Sequence, residues 1–297
     1  MPPVLLVGCG RMGGALLAGW RERGLAPSIA VDPAPEAVRL AGPDLRVVAE
    51  PAAIPAGFAP AAVVLAIKPQ AAAATVPAYA GLAASAVVLS IMAGRTIDGI
   101  RGLLGSVLPL AAAPGGAPGG VQDWAPGGVH VGAPAGAPIG AVVRAMPNTP
   151  AAIRQGVTVA CPGPGVTIPQ RALCERLLGA IGAVAWVADE ALLDPVTAVS
   201  GSGPAYVFLL AELLEQAAVE QGIPPELARL LARRTVAGSG ALLAAGEEDA
   251  AALRRAVTSP AGTTERALEV LMAPDAWPAA LSRAVAAATR RSRELAG

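Results

Sequence analysis

Two groups of residues in this 297-residue sequence have the types and spacing to do chemistry. The first is "VGCGRMGG", in which Gly8, Gly10 and Gly13 fit the pattern G-x-G-x-x-G directly after the short branched run "VLLVG" at 4–8. In such a turn Gly8 makes the bend and Gly10 lets the backbone approach a pyrophosphate. Gly13 lets helix and strand pack closely, and the phosphate rests at the helix N-terminus. A second run, "SIAVD" at 28–32, ends in Asp32, 19 residues beyond Gly13 and close to the ~20 expected of a ribose-binding acid. The second group is "VTSPAGTTERAL" at 257–268, where Ser259, Thr263 and Thr264 surround Pro260–Ala261–Gly262 just before a helical pattern. Hydroxyls and unpaired N–H groups at a positive helix end form a carboxylate site that needs no lysine or arginine. The same residues also make an ordinary helix cap, and the sequence leaves both readings open.

The remaining inventory narrows the reaction. His130 is the only histidine and lies in a Gly/Pro/Ala-rich loop, so a Ser-His-Asp or Cys-His apparatus has no base. Cys9, Cys161 and Cys174 have neither metal nor disulfide spacing. A nicotinamide enzyme acting on a ketone needs an acid for the developing alkoxide, and Lys68 is the group at hand. An imine nitrogen protonates by itself near neutral pH, so the protein needs only to hold two reactants in register and bind the anionic end. The scarcity of acid groups favours a C=N substrate. At the cofactor's ribose, Asp32 would accept hydroxyl hydrogen bonds and repel a 2′-phosphate, which favours NADH, unless Arg11 or Arg39 reaches that phosphate.

The elements that must position these residues alternate through the first half. Strands are expected at 4–8, 28–32, 61–67, 86–94, from 141, at 157–163 and at 183–187. Helical patterns follow the glycine turn, start at Pro69, and fill 167–182, where Thr167 and Gln170 suggest a capping box. This is an α/β, Rossmann-type arrangement: a largely parallel sheet with helices on both faces. Gly8–Gly13, Asp32, Lys68–Gln70 and Met146–Thr149 all fall at strand carboxyl ends, where ligands bind in such sheets. Residues 109–141 interrupt the alternation and read as a flexible surface insertion. From Asp189 strands stop. Helices are expected at 203–222, 223–246, 251–257, 265–272 and 276–296, and their broad apolar faces suit a subunit interface or a self-contained bundle. Two domains result, 1–188 and 189–297. At their join, "TAVSGSGPAYVF" (197–208) places Gly201 and Gly203 close to the nucleotide cleft; Ser202 either supports a pocket or caps the following helix.

Whole-chain properties exclude some partners. Lys plus Arg equals Asp plus Glu at 22 each, which gives no support for nucleic acid. A mean hydropathy of +0.55 with 15% charged residues points to oligomerisation. The apolar run 204–214 falls short of the ~18 residues of a membrane span and carries Glu212. The N-terminus has no basic region before its apolar stretch, and the unpaired cysteines suit a reducing cytoplasm.

Together "VGCGRMGGAL", "LAIKPQ", "MPNTPA", "TAVSGSGPAYVF" and "AVTSPAGTT" resemble the pyrroline-5-carboxylate reductase family, over nearly all the chain except the 109–141 insertion. The resemblance implies reduction of 1-pyrroline-5-carboxylate to L-proline with NADPH or NADH. It also implies an all-helical dimerisation domain whose subunits interleave into a homodimer, with dimers assembling into rings. It assigns Gly8, Gly10, Met12 and Gly13 to the pyrophosphate, Lys68 and Pro69 to the nicotinamide half, and Met146 and Asn148 to the cleft. Ser259, Gly262, Thr263 and Thr264 would hold the substrate, with the Thr264 hydroxyl at the ring nitrogen, and Glu247 matches a pocket acid of some members. An isolated monomer would be nearly inactive. The chain departs from the family in Ala261, where "SPGGTT" is usual, in its insertion, and in Asp32, which is unexpected in an NADPH-preferring member. Two other readings fit the sequence less well. A β-hydroxyacid dehydrogenase would want a lysine in the helical half, and there is none from 189 onward. A non-catalytic nucleotide-binding regulator would need no hydroxyl-rich loop.

Overall fold

The computed structural model describes residues 1–105 and 140–296. His130 and residues 109–139 of the expected insertion lie outside the described residues. Two compact units are formed, one by 1–196 with 292–297 and the other by 197–291.

The first unit is built on an eight-stranded sheet in the order β3-β2-β1-β4-β5-β6-β7-β8. Its strands are β1 (Val4–Val7), β2 (Ser28–Val31), β3 (Leu45–Val48), β4 (Ala62–Leu65), β5 (Val87–Ser90), β6 (Val142–Met146), β7 (Gly156–Pro162) and β8 (Gly182–Trp186). All neighbouring pairs are parallel except β6 with β7. β1, β2, β4 and β5 are buried at every position, which is why they read as near-continuous apolar runs, broken only by Ser28 and Ser90, rather than as alternations. Within them the period of two still sorts side chains between faces. Val4 and Leu6 join one core with Leu16, Trp20 and Leu177; Leu5 and Val7 join the other with Val76, Tyr79 and Ile100.

The connections are helical. α1 (Arg11–Glu22) follows β1, and a chain of short turns including α2 (Ala72–Thr75) and α3 (Ala80–Ala83) joins β4 to β5. α4 (Ile97–Gly105) leaves β5, and α5 (Ile168–Gly179) joins β7 to β8. The capping box forms: the Gln170 N–H donates to Thr167 Oγ1 at 3.4 Å and the Thr167 N–H donates to Gln170 Oε1 at 2.9 Å. β3 was not expected. It is a four-residue edge strand in which exposed Arg46 breaks the apolar run.

Beyond β8, the chain turns helical sooner than its composition suggests. A short turn and α6 (Leu193–Val196) lead into a π-helical turn, Thr197–Gly201, closed by a bond from the Ser202 N–H to the Thr197 carbonyl and by the Tyr206 hydroxyl donating to the Ala198 carbonyl. Ser202 has helical φ −86° and ψ −25° and makes no side-chain cap, and a Cβ on Gly203 would meet nothing within 4 Å. The helical path is therefore continuous over the 31 largely apolar residues Glu190–Glu220. By length and composition alone this stretch is long and apolar enough to cross a membrane, whereas the apolar run expected from the sequence, 204–214, is too short to do so.

The second unit holds α7 (Gly203–Glu220), α8 (Pro225–Ala245), α9 (Ala250–Ala256), α10 (Thr263–Leu271) and most of α11 (Trp277–Ala296). α7 ends in a Schellman motif: Gly222 has φ +85°, its N–H bonds the Val219 carbonyl, and the Ile223 N–H bonds the Ala218 carbonyl. Pro224 and Pro225 then open α8, making a helical hairpin. Few residues of these helices are buried: Ala228, Ala232 and, near the end of α11, Ser292 are, whereas Phe208 is 68% and Leu281 55% exposed.

Candidate functional site

Parallel pairing brings the carboxyl ends of β1, β2, β4, β5 and β6 to one edge of the sheet. The loops leaving that edge form a groove of about 770 Å³ lined by Gly8, Gly10, Asp32, Glu36, Lys68 and Tyr79 among others. Each glycine of the motif has its own reason. Gly8 has φ +95°, and a Cβ there would sit 2.6 Å from the Ala66 carbonyl oxygen. On Gly13 a Cβ would collide with the Gly8 carbonyl oxygen, so helix and strand could not meet. At Gly10 a Cβ would meet nothing within 4 Å, so its side stays open above the N-terminus of α1. Gly10 is the N-cap of α1 and offers no side-chain partner to the first helical N–H groups. A dinucleotide fits this arrangement: an open glycine, free N–H groups at a positive helix end, and an acid at the next strand end.

Asp32 has a second task. Its Oδ2 accepts the Cys9 N–H at 2.6 Å and its Oδ1 accepts the Ala34 N–H at 2.9 Å, so one carboxylate staples the glycine turn to the loop after β2. The Cys9 thiol beside it is pushed up to about 11, by burial first and then by the Asp32 charge, and stays protonated at neutral pH.

The other expected residues are placed less uniformly. Met12 packs partly against the core beneath the glycine turn. Pro69 follows Lys68 as the first residue of a 3₁₀ turn and does not line the groove described above. Met146 ends β6 and packs against the second core, and the buried Asn148 spends its Oδ1 on the Val157 N–H at 2.9 Å. Neither lines that groove. Two residues missed in the sequence belong to this edge: Glu36, a second acid on the groove, and Arg95, whose guanidinium donates to the Pro69 carbonyl. Glu36 could have been found from its position four residues beyond Asp32; Arg95 carries no sequence signal.

In the second unit the hydroxyl loop is a turn before α10. The Gly262 N–H donates to the Ser259 carbonyl at 3.0 Å, Pro260 occupies the second position and Ala261 the third, with φ +55°. Proline followed by a positive φ is the pattern of a type II turn, whose third position favours glycine. Ala261 therefore sits where an L residue is strained. Gly262 is required for another reason: a Cβ there would be 2.5 Å from Ser259 Oγ. Gly262 is the N-cap of α10 without a side-chain bond, and Glu265 reaches back to accept the Ala261 N–H at 2.8 Å. Among the described residues, the hydroxyls of Ser259, Thr263 and Thr264 make no hydrogen bond, and the first N–H groups of α10 are left for an incoming acceptor. Glu247, on the turn before α9, is exposed.

Comparison with known proteins fits both units. Residues 190–295 match the family model described as pyrroline-5-carboxylate reductase dimerisation, and residues 3–94 match one described as NADP oxidoreductase, coenzyme F420-dependent. The chain is 35% identical over 299 aligned positions to the pyrroline-5-carboxylate reductase of Pseudomonas aeruginosa, covering 99% of this chain and 97% of that one. The pyrroline-5-carboxylate reductase structure from Coxiella burnetii superposes with a TM-score of 0.81 at 27% identity, over 100% of this chain and 99% of that chain. The Plasmodium falciparum pyrroline carboxylate reductase, solved with NADP bound, shares the fold with a TM-score of 0.75 at 22% identity, over 100% and 98% of the two chains. The full-length match sets aside both the β-hydroxyacid dehydrogenase and the non-catalytic regulator. A nucleotide groove on a Rossmann-type sheet, a hydroxyl turn on a helical unit and a relative matched end to end agree: the chain belongs to the pyrroline-5-carboxylate reductase family, the enzymes that reduce 1-pyrroline-5-carboxylate to L-proline with a nicotinamide cofactor.

Proposed function

We propose that this reductase works as a homodimer, uses NADH in preference to NADPH, and holds its imine substrate by the carboxylate on the Ser259–Thr264 turn. The observation that carries the reading is that turn, which offers hydroxyls and free N–H groups at a helix N-terminus. Thr263 and Thr264 supply the hydroxyls nearest the helix start, and a carboxylate gains there from both hydrogen bonds and the helix dipole. A bound nicotinamide supplies hydride. The chain's own residues hold the reactants in register, and the Thr264 hydroxyl stands as donor to the ring nitrogen. Gly8, Gly10, Met12 and Gly13 would hold the pyrophosphate, Lys68 and Pro69 would border the nicotinamide half, and Met146 and Asn148 would close the cleft beyond.

Cofactor preference rests on charge. Asp32 and Glu36 both line the groove at the β2 end, and a 2′-phosphate there would meet two carboxylates. The dimer rests on apolar exposure. Tyr206, Val207, Leu210, Leu213, Trp277 and Leu281 line an apolar hollow of about 370 Å³ on the helical unit, more than a lone chain would leave to water. Assembly of dimers into a ring would be read by analytical ultracentrifugation. Location in the reducing cytoplasm is supported by three free cysteines, of which Cys161 and Cys174 are buried, and would be read by cell fractionation.

The test is kinetic. Thr264→Ala should lower kcat/KM for the imine about tenfold or more while the cofactor Kd stays the same; unchanged kinetics would remove Thr264 from the mechanism. The wild-type kcat/KM should be higher with NADH than with NADPH, and a strong NADPH preference would overturn the charge argument.

A further inference from the structure

The loop carrying Lys68 and Pro69 is held from the loop after the neighbouring strand as well as from its own segment. Lys68 leaves β4 with φ −65° and ψ 139°, and its carbonyl accepts the Ala71 N–H at 3.0 Å. From the loop after β5, Arg95 donates Nε at 3.1 Å and Nη2 at 3.0 Å to the Pro69 carbonyl oxygen. That oxygen also accepts the Ala72 N–H. Among the described residues, half-buried Arg95 pairs with no carboxylate, so its forked donor set is committed to one neutral carbonyl.

Arg95 is itself fixed from two sides. Gly94 has φ +69°, and a Cβ there would lie 2.9 Å from the Leu295 carbonyl oxygen, so the last turn of α11 rests on this loop. Asp194 anchors that turn by accepting the Ser292 hydroxyl at 2.7 Å. Two residues beyond Arg95, the Ile97 N–H donates to Glu190 Oε1 at 2.8 Å, and the same oxygen accepts Arg144 Nη1 at 2.9 Å. Arg144 is buried on β6, two residues before Met146. A line of polar contacts thus crosses the carboxyl ends of β6, β5 and β4 and ends on the Pro69 carbonyl.

Given that Lys68 and Pro69 border the nicotinamide, the reading on which this inference rests, we propose that Arg95 is a positioning residue for hydride transfer. By clamping the Pro69 carbonyl it fixes the Pro69–Gln70 peptide, and with it the preceding Lys68, which lines the groove. Displacement of that peptide would spoil the register of the two reactants without removing a group that touches either.

The test compares Arg95→Ala, Arg95→Lys and Arg95→Gln in the full-length protein. Arg95→Ala should lower kcat about tenfold or more. The NADH Kd, read by cofactor fluorescence, should change less than about threefold, and the primary isotope effect with 4-deuterated NADH should grow. Arg95→Lys, which keeps one charged donor, should recover part of kcat. Unchanged kcat and isotope effect in an Arg95→Ala protein that keeps its circular dichroism and Tm would overturn the proposal. Should Arg95→Ala not fold, Arg95→Lys and Arg95→Gln are judged by the same criterion. Lys68→Ala separates the two levels: normal cofactor binding and turnover in that variant refutes the placement of the loop and the proposal with it. An impaired Lys68→Ala beside a silent Arg95→Ala refutes the role of Arg95 alone.

Discussion

Replacing Ala261 by glycine should make this protein more stable, although it deletes a methyl group and loosens the unfolded chain. Ala261 holds φ +55° at the third position of the Ser259–Gly262 turn. The left-handed region costs an L residue ~1–2 kcal/mol. Glycine escapes that cost but loses ~0.5–1 kcal/mol through its greater unfolded freedom. The balance is a gain of up to ~1.5 kcal/mol per chain, about 0.75 kcal/mol at mid-range, from those two terms. The control is Ala172→Gly, an identical chemical change at an exposed site inside α5, where ordinary helical geometry makes glycine ~1 kcal/mol worse. Thermal unfolding at one fixed protein concentration reads both, since an oligomer's Tm depends on concentration. At ~2–4 °C per kcal/mol, Ala261→Gly should raise Tm by about 2 °C at mid-range and at most ~6 °C, and Ala172→Gly should lower it by ~2–4 °C. Ala261→Val, β-branched in the left-handed region, should be worse than wild type. Because the turn presents Ser259, Thr263 and Thr264, KM for the imine should hold or fall in Ala261→Gly. A loss of stability in Ala261→Gly matching that of Ala172→Gly would refute the strain argument.

The glycine motif should separate folding from binding. Gly10→Ala should keep its Tm, because the new methyl meets nothing within 4 Å, yet weaken cofactor binding about tenfold or more by obstructing the approach of the phosphates; Gly8→Ala, with its methyl 2.6 Å from the Ala66 carbonyl, should lose stability as well, and equal Tm values for the two would contradict the assignment. The thiols predict an alkaline limb. Burial raises Cys9 to about 11 and Cys174 to about 12 from 9.0, so both stay protonated in the fold while the unfolded chain ionises. Their stabilisation is full below pH ~9 and is lost as pH rises through 9 toward 11–12. Tm should be level from pH ~7 to 8.5 and fall above ~9, with Cys174→Ala shallower; a Tm that rises over that range would contradict the burial. Alkylation at pH 8 should label Cys9 about a hundredfold more slowly than free cysteine, and rapid labelling with loss of activity would show a reactive thiol instead.

Much of this was legible because the decisive elements are local. β1 with its glycine turn, Asp32 at the end of β2 and the Thr167–Gln170 capping box each depend on a few adjacent residues, and each forms as read. β3 was illegible because an edge strand needs only one apolar face and Arg46 occupies the other. The stretch 190–203 hid its helicity behind Pro195, Gly201 and Gly203: a π turn and a long-reaching Tyr206 hydroxyl carry the helix through residues that locally favour a break. At the site, spacing marked Gly8, Gly10 and Gly13 as candidates, but not that Asp32 spends both oxygens on backbone N–H groups. Nor could it show Asn148 holding Val157, or Arg95 holding Pro69, because those contacts depend on which strands become neighbours. Ala261 is intermediate: the sequence marks a departure from glycine, and only the backbone shows the positive φ that makes the departure costly.

The most direct test of the account is cofactor oxidation by the purified full-length protein, with 1-pyrroline-5-carboxylate run against a panel of 2-keto and 3-hydroxy acids. The account predicts turnover of the imine with formation of L-proline, faster with NADH than NADPH, and little with the other acids. Absence of imine turnover in a folded, cofactor-binding preparation would contradict it.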